Sequence, residues 1–111
     1  EVPITYYMQP NYPPPIPSIC ISRMYSNITR RDVTSTFESI LGKGCVDRID
    51  MILKRDGMQP YQCVFVHFNP SFTHTTRRAA YIAERLNKGM NIKIVYNDPW
   101  FWKCTMLMKS N

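Results

Sequence analysis

Apolar and polar positions repeat with two different periods along the chain, and the switches between them mark out the elements. Ser18-Ile-Cys-Ile-Ser22 has period two, with Ile19 and Ile21 on one face and Cys20 and Ser22 on the other, which predicts a half-buried first strand. Thr29 followed by Asp32 has the spacing of a capping box. Val33, Phe37 and Leu41 then recur on one helical face, so a first helix is expected, ended by Gly42 and Gly44. From Val46 to Lys54 period two returns, with Ile49, Met51 and Leu53 on one side and Arg48, Asp50, Ile52 and Lys54 on the other. Arg55-Asp-Gly-Met-Gln-Pro60 carries the Asp-Gly and Pro signals of a loop. Tyr61 to Phe68 follows as the strongest strand signal, dense enough in aromatic and β-branched residues to suit the centre of a sheet. Asn69-Pro70-Ser71 breaks it, and Thr75 to Asn87 places Ala79, Ile82, Ala83 and Leu86 at helical spacing before Gly89. Asn91 to Tyr96 and Trp100 to Lys109, joined through Asn97-Asp98-Pro99, read as a hairpin.

The order is β-α-β-β-α-β with one extra hairpin strand, which is the split βαβ, ferredoxin-like α+β plan. It predicts a four-stranded antiparallel sheet with two helices on one face, plus the extra strand, and leaves the other face open. Residues 1–17 hold six of the nine prolines together with Tyr6, Tyr7 and Tyr12, so they read as an extended arm ahead of a domain at 18–111. The arm's tyrosines and isoleucines equally allow it to pack back on the domain.

At 111 residues the chain suffices for one core and no more, and an apolar fraction of 44% is that of an ordinary globular domain. No stretch approaches the ~20 apolar residues of a membrane span, so no membrane contact is expected. No basic-then-apolar leader pattern opens the sequence, and an intracellular site, cytoplasmic or nuclear, is expected. Cys20, Cys45, Cys63 and Cys104 lack the paired spacing of zinc sites and read as reduced; no metal, cofactor or small-molecule substrate is implied. Fourteen Lys and Arg against eight Asp and Glu give a net charge of +6, which points to a phosphate-bearing partner. His67 and His74 have no nearby constellation of acid or cysteine in sequence that suggests catalysis and read as structural or surface residues. Neither paired acids, a nucleophile elbow nor a glycine-rich phosphate loop is present, so catalysis is not expected.

Taken together, these residues resemble the RNA-recognition-motif family from about Ile19 to Lys109. Ile19-Cys20-Ile21-Ser22-Arg23-Met24 is similar to the family's first-strand motif. Asn27 to Phe37 is similar to its first helix, and Gly44-Cys-Val46-Asp-Arg-Ile49-Asp-Met51 to its second strand. Tyr61-Gln62-Cys63-Val64-Phe65-Val66-His67-Phe68 aligns with its third-strand motif, and Leu86-Asn87 with the close of its second helix. The run Asp98-Pro-Trp-Phe-Trp-Lys103 is similar to RNA-recognition-like proteins of large DNA viruses, for which the location would be host cytoplasm. The resemblance implies non-catalytic binding of single-stranded RNA, with bases stacked on aromatic side chains at the centre of the sheet. Of the three aromatic positions only Phe65 is aromatic here. Cys20 and Cys63 occupy the others, and Tyr61 and Gln62 replace the usual basic and glycine residues.

The expected open face carries Ser18, Cys20, Ser22, Arg48, Asp50, Ile52, Lys54, Tyr61, Cys63, Phe65, His67, Phe101, Lys103 and Thr105. Phe65 is the expected base platform, with Tyr61, Cys20, Cys63 and Phe101 around it. Arg23, Arg48, Lys54, Arg55 and Lys103, on or beside that face, would meet phosphate. Arg77, Arg78, Arg85 and Lys88 fall behind the sheet, as solvated charge or as a contact for an acidic partner. Trp100 and Trp102 can each point inward or outward on the pattern alone; family spacing favours Trp102 and Cys104 inward. The alternative is a protein-interaction or scaffold domain, or one that associates with itself, which has given up the stacking platform.

Overall fold

The computed structural model describes residues 15–72 and 76–107. Its elements are β1 (Ile19–Tyr25), α1 (Arg30–Leu41), β2 (Val46–Asp56), β3 (Gln59–Phe68), α2 (Arg77–Asn87), β4 (Ile92–Asn97) and β5 (Trp100–Met106). The strands form a single antiparallel sheet in the order β2-β3-β1-β5-β4. The expected four strands with an appended hairpin strand are thus one five-stranded sheet in which β4 is an edge.

The first helix begins as the spacing dictates. The Thr29 hydroxyl accepts from the Asp32 amide at 3.1 Å while the Asp32 carboxylate accepts from the Thr29 amide at 2.9 Å, which satisfies two of the helix's unpaired donors. α1 buries Val33, Phe37 and Leu41, and α2 buries Ala79, Ile82, Ala83 and Leu86. Both sets join Ile19, Ile21, Ile49, Val64, Val66, Ile92, Ile94, Trp102 and Cys104 in one core on the helix side of the sheet. Phe37 is its hub, edge-on to Phe68 at 5.6 Å and stacked with Trp102 at 6.3 Å. Tyr96 continues the column, stacking on Trp102 at 4.6 Å. Gly42 closes α1 at a φ of 132°, and a Cβ there would meet the Phe72 ring at 2.9 Å, so only glycine fits.

Several boundaries differ from the sequence reading. β1 continues to Tyr25, past Ser22, because a bulge lets Met24 turn into the core. The expected loop at Arg55 to Pro60 is a two-residue turn: Arg55 pairs Pro60 and Asp56 pairs Gln59, leaving Gly57 and Met58 at the tip. Gly57 has a φ of 64° and Met58 a negative φ, as a type II′ hairpin turn requires. Pro60 is tolerated because β1 pairing ends at Tyr61, so β3 is bonded on one side only at that point. Leu53 was expected inward with Ile49 and Met51, yet it is 63% exposed because this hairpin overhangs the helices. α2 starts at Arg77 with Thr76 as its cap, later than the expected Thr75. β5 ends at Met106, and Lys109 lies outside the described residues, as does the arm as far as residue 14. The last arm residues do pack on the domain. Ile16 rests against the core and the Pro15 carbonyl accepts from the Asn87 amide at 3.2 Å.

The capping box makes stability depend on pH in a stated direction. Hydrogen bonds from the Thr29 backbone and side chain hold the Asp32 carboxyl below its ordinary value of 3.8. A lowered native value means the contribution is complete above about pH 4 and is lost as pH falls through that native value. We expect Asp32→Asn to lower the urea midpoint at pH 7, and the difference from the unsubstituted protein to vanish on acidification. Equal midpoints at pH 7 would show that the box does not hold the helix.

Candidate nucleic-acid interface

Alternation along β3 builds the open face. Gln62, Val64 and Val66 are buried toward the helices, so Tyr61, Cys63, Phe65 and His67 emerge on the opposite side. Pairing sets their neighbours. Phe65 lies between Asp50 of β2 and Cys20 of β1, with Thr105 of β5 beyond Cys20. Tyr61 lies between Lys54 and Tyr25, and Ile52 sits beside Cys63. Among the described residues no element packs on this face.

The face is chemically graded along β3. At its centre are Phe65 and two half-buried thiols. Desolvation raises the Cys20 thiol above its ordinary value of 9.0, and the neighbouring Cys63 raises it further. At the His67 end the Ser18 hydroxyl lies 2.9 Å from Nδ1 and the Asp50 carboxylate 3.0 Å from Nε2. Arg48 reaches the same carboxylate at 3.3 Å. Partial desolvation works to raise the Asp50 carboxyl, but the hydrogen bonds and charges of His67 and Arg48 outweigh it and hold it low. His67 is thus held at both ring nitrogens. Its partners lie 17 and 49 positions away and meet it only through strand register. His74 lies outside the described residues.

The Tyr61 end is shaped by a β-bulge. Ile21 pairs Val64 and Met24 pairs Gln62, so Ser22 and Arg23 together oppose Cys63. Strict alternation would bury Arg23; the extra residue turns it onto the open face instead. Its guanidinium lies 3.9 Å from the centre of the Tyr61 ring and pairs Asp56 at 3.0 Å. On β5, Phe101 is 46% exposed and carries the Lys93 ammonium 4.8 Å from its ring centre. Both are cation–π contacts, worth about 0.5–1 kcal/mol at exposed sites.

Gln62 has a role that its place in the third-strand motif did not suggest. It is 8% exposed, and its amide donates to the Tyr25 carbonyl at 2.8 Å and the Ile28 carbonyl at 2.9 Å. A buried amide is thereby satisfied and the β1–α1 loop is tied to the middle of the sheet.

Of the expected site residues, Phe65, Tyr61, Cys20, Cys63, Arg23, Arg48, Lys54, Phe101 and Lys103 share the open face. Arg55 does not. Alternation puts it on the side of Ile49, and it is exposed only because the hairpin extends past the helices. Among the described residues no carboxylate lies within ion-pair distance of Lys54 or Lys103, whereas Arg48 and Arg23 are paired. Trp102 and Cys104 point inward and Trp100 is 55% exposed. A cavity of about 650 Å³ lies elsewhere, between α2 and β4, with Arg78, Tyr81 and Arg85 in its wall. Among the described residues no three His, Cys, Asp or Glu side chains cluster to hold a metal ion, and no helix is long and apolar enough to cross a membrane. No protein-family model, curated protein or solved structure matches this chain.

The four thiols divide sharply. Burial pushes Cys45 up to about 11 and Cys104 up to about 12, while Cys20 and Cys63 lie on the open face. Iodoacetamide at pH 8 is expected to alkylate only Cys20 and Cys63 of the folded protein, as read by peptide mass spectrometry. Native labelling of Cys104 would contradict the register of β5.

Proposed function

We propose that this chain is a divergent RNA-recognition-motif domain on the ferredoxin-like plan that binds single-stranded RNA, without catalysis, along the open face of its sheet. The observation that carries the reading is the row Tyr61, Cys63, Phe65, His67 on a central strand, flanked by Arg23, Lys54 and Lys103. Phe65 offers a ring to one base, and the flanking cations offer charge to the phosphates on either side.

Two thiols in place of aromatic rings set the strength of the interaction. A stacked base contributes about 1–3 kcal/mol, and a sulfur presents less area and no comparable stack. One ring in place of three shifts the balance from stacking to charge. Affinity then depends steeply on salt, and sequence preference is weak.

A second reading has its own surface. The cavity between α2 and β4 combines Tyr81 with Arg78 and Arg85 beside an edge strand paired on one side only, which suits an acidic protein segment. Such a contact would be unaffected by changes on the open face.

Fluorescence anisotropy with a degenerate single-stranded RNA pool separates the two. The sheet reading expects binding whose log–log dependence on salt has a slope of roughly −2 to −3, from three or four phosphate contacts. It also expects Phe65→Ala to weaken binding about tenfold, within the range of one lost stack. Phe65→Ala leaves a solvent-facing position smaller and should leave the fold intact by circular dichroism. Absence of binding at low salt, or affinity indifferent to Phe65, would overturn the sheet reading.

A further inference from the structure

The sheet is not paired along its whole length. β1 and β5 are bonded from Ile19 and Met106 to Ile21 and Cys104, and there the pairing stops, although β1 runs on to Tyr25 and β5 begins as early as Trp100. The bulge at Ser22 and Arg23 keeps the end of β1 with β3, while the start of β5 stays with β4. Between the diverging ends lies a cleft of about 400 Å³. Six aromatic side chains line it: Tyr25, Tyr61, Tyr96, Trp100, Phe101 and Trp102.

We propose that this cleft is a pocket for one unstacked RNA base, with Arg23 at its mouth to receive the adjoining phosphate. The inference rests on the reading of the open face as an RNA platform and adds a second, structurally separate base site to it.

Four observations favour a base over other occupants. The walls are aromatic rings, which hold flat π systems, and the volume falls in the ordinary range for small-ligand sites. Aromatic cages also hold organic cations, but here the charged side chain in the lining is an arginine, and its partner Asp56, 3.0 Å away, stands outside the lining. The charge that borders the cleft is therefore positive, which suits an anionic nucleotide better than a cation. The walls also carry donors. The indole N–H of Trp102 is buried without a hydrogen-bond partner among the described residues, and Tyr25, Tyr61 and Tyr96 bring phenol hydroxyls to the lining. Base edges present the ring nitrogens and carbonyl oxygens that such donors require. Finally, Tyr61 and Phe101 belong to both the open face and the cleft. A strand laid over Phe65 that runs along β3 past Cys63 reaches the cleft mouth at Tyr61 after four residues, about 14 Å.

The chain's two tryptophans, Trp100 and Trp102, both line this cleft, so tryptophan emission reports on it, Trp100 more directly than the core-stacked Trp102. We would titrate the protein with adenosine and uridine monophosphates and with the single-stranded RNA pool, using N-acetyltryptophanamide as the collisional control. The proposal expects saturable quenching by a monophosphate beyond the control. It expects Trp100→Ala or Arg23→Ala to weaken that binding about tenfold, and Lys88→Ala, at the exposed end of α2 behind the sheet, to leave it unchanged. Trp100 and Arg23 are both exposed, so neither variant should unfold the domain, and near-ultraviolet circular dichroism checks this. RNA binding that depends on Phe65 but leaves tryptophan emission unchanged would overturn the cleft and spare the sheet platform. Monophosphate quenching equal to the control, with no RNA binding by anisotropy, would overturn both.

Discussion

The antiparallel pairing of β3 on both of its edges is the constraint on which the rest of the structure depends. Because the strand is bonded to β2 and to β1, its register is set twice, and its side chains divide without exception between two surfaces. Gln62, Val64 and Val66 go to the helices; Tyr61, Cys63, Phe65 and His67 go to the open face. A slip by one residue would bury a histidine and expose two valines, so the core and the candidate site hold each other in place. The hub at Phe37 adds to this. It ties Phe68 at the end of β3 to Trp102 on β5, and so couples the ends of the sheet through the helix layer.

Departures from this regular pairing generate the chemistry at the two ends of the face. At one end register brings Ser18, His67, Asp50 and Arg48 into a continuous polar chain, which keeps a histidine and a carboxylate on the surface with their hydrogen bonds satisfied. At the other, one extra residue in β1 turns Arg23 outward and Met24 inward. It also directs the end of β1 away from β5, and an aromatic cleft opens where a fourth and fifth paired rung would otherwise lie. The centre keeps one stacking ring. On the proposed reading of this face, binding strength comes from charge at the margins more than from its middle.

The element order, the capping box and the inward faces of both helices were legible in the sequence, because each depends on local spacing; the inward Trp102 and Cys104 were favoured only by the family resemblance, since the pattern alone left either direction open. Membership of the open face was legible as well: for Phe65, Tyr61 and Cys63 it follows from alternation within β3, and for Cys20 from alternation within β1. What depended on pairing between strands was not. The Ser22–Arg23 bulge has no glycine to announce it, the partners of His67 are remote in sequence, and the amide of Gln62 finds its carbonyls in a loop 34 and 37 positions away. Pro60 misled for a different reason. A proline in a run of strand residues signals a break only where both edges are bonded, and here one edge is free.

The central claim is that RNA lies on the open face, and backbone amide chemical-shift mapping of the labelled domain during titration with single-stranded RNA tests it most directly. The account predicts concerted shifts at Cys20, Cys63, Phe65 and Lys103 while α1 and α2 stay unmoved. Shifts confined to α2 and β4, with the amides around Phe65 unchanged, would contradict it.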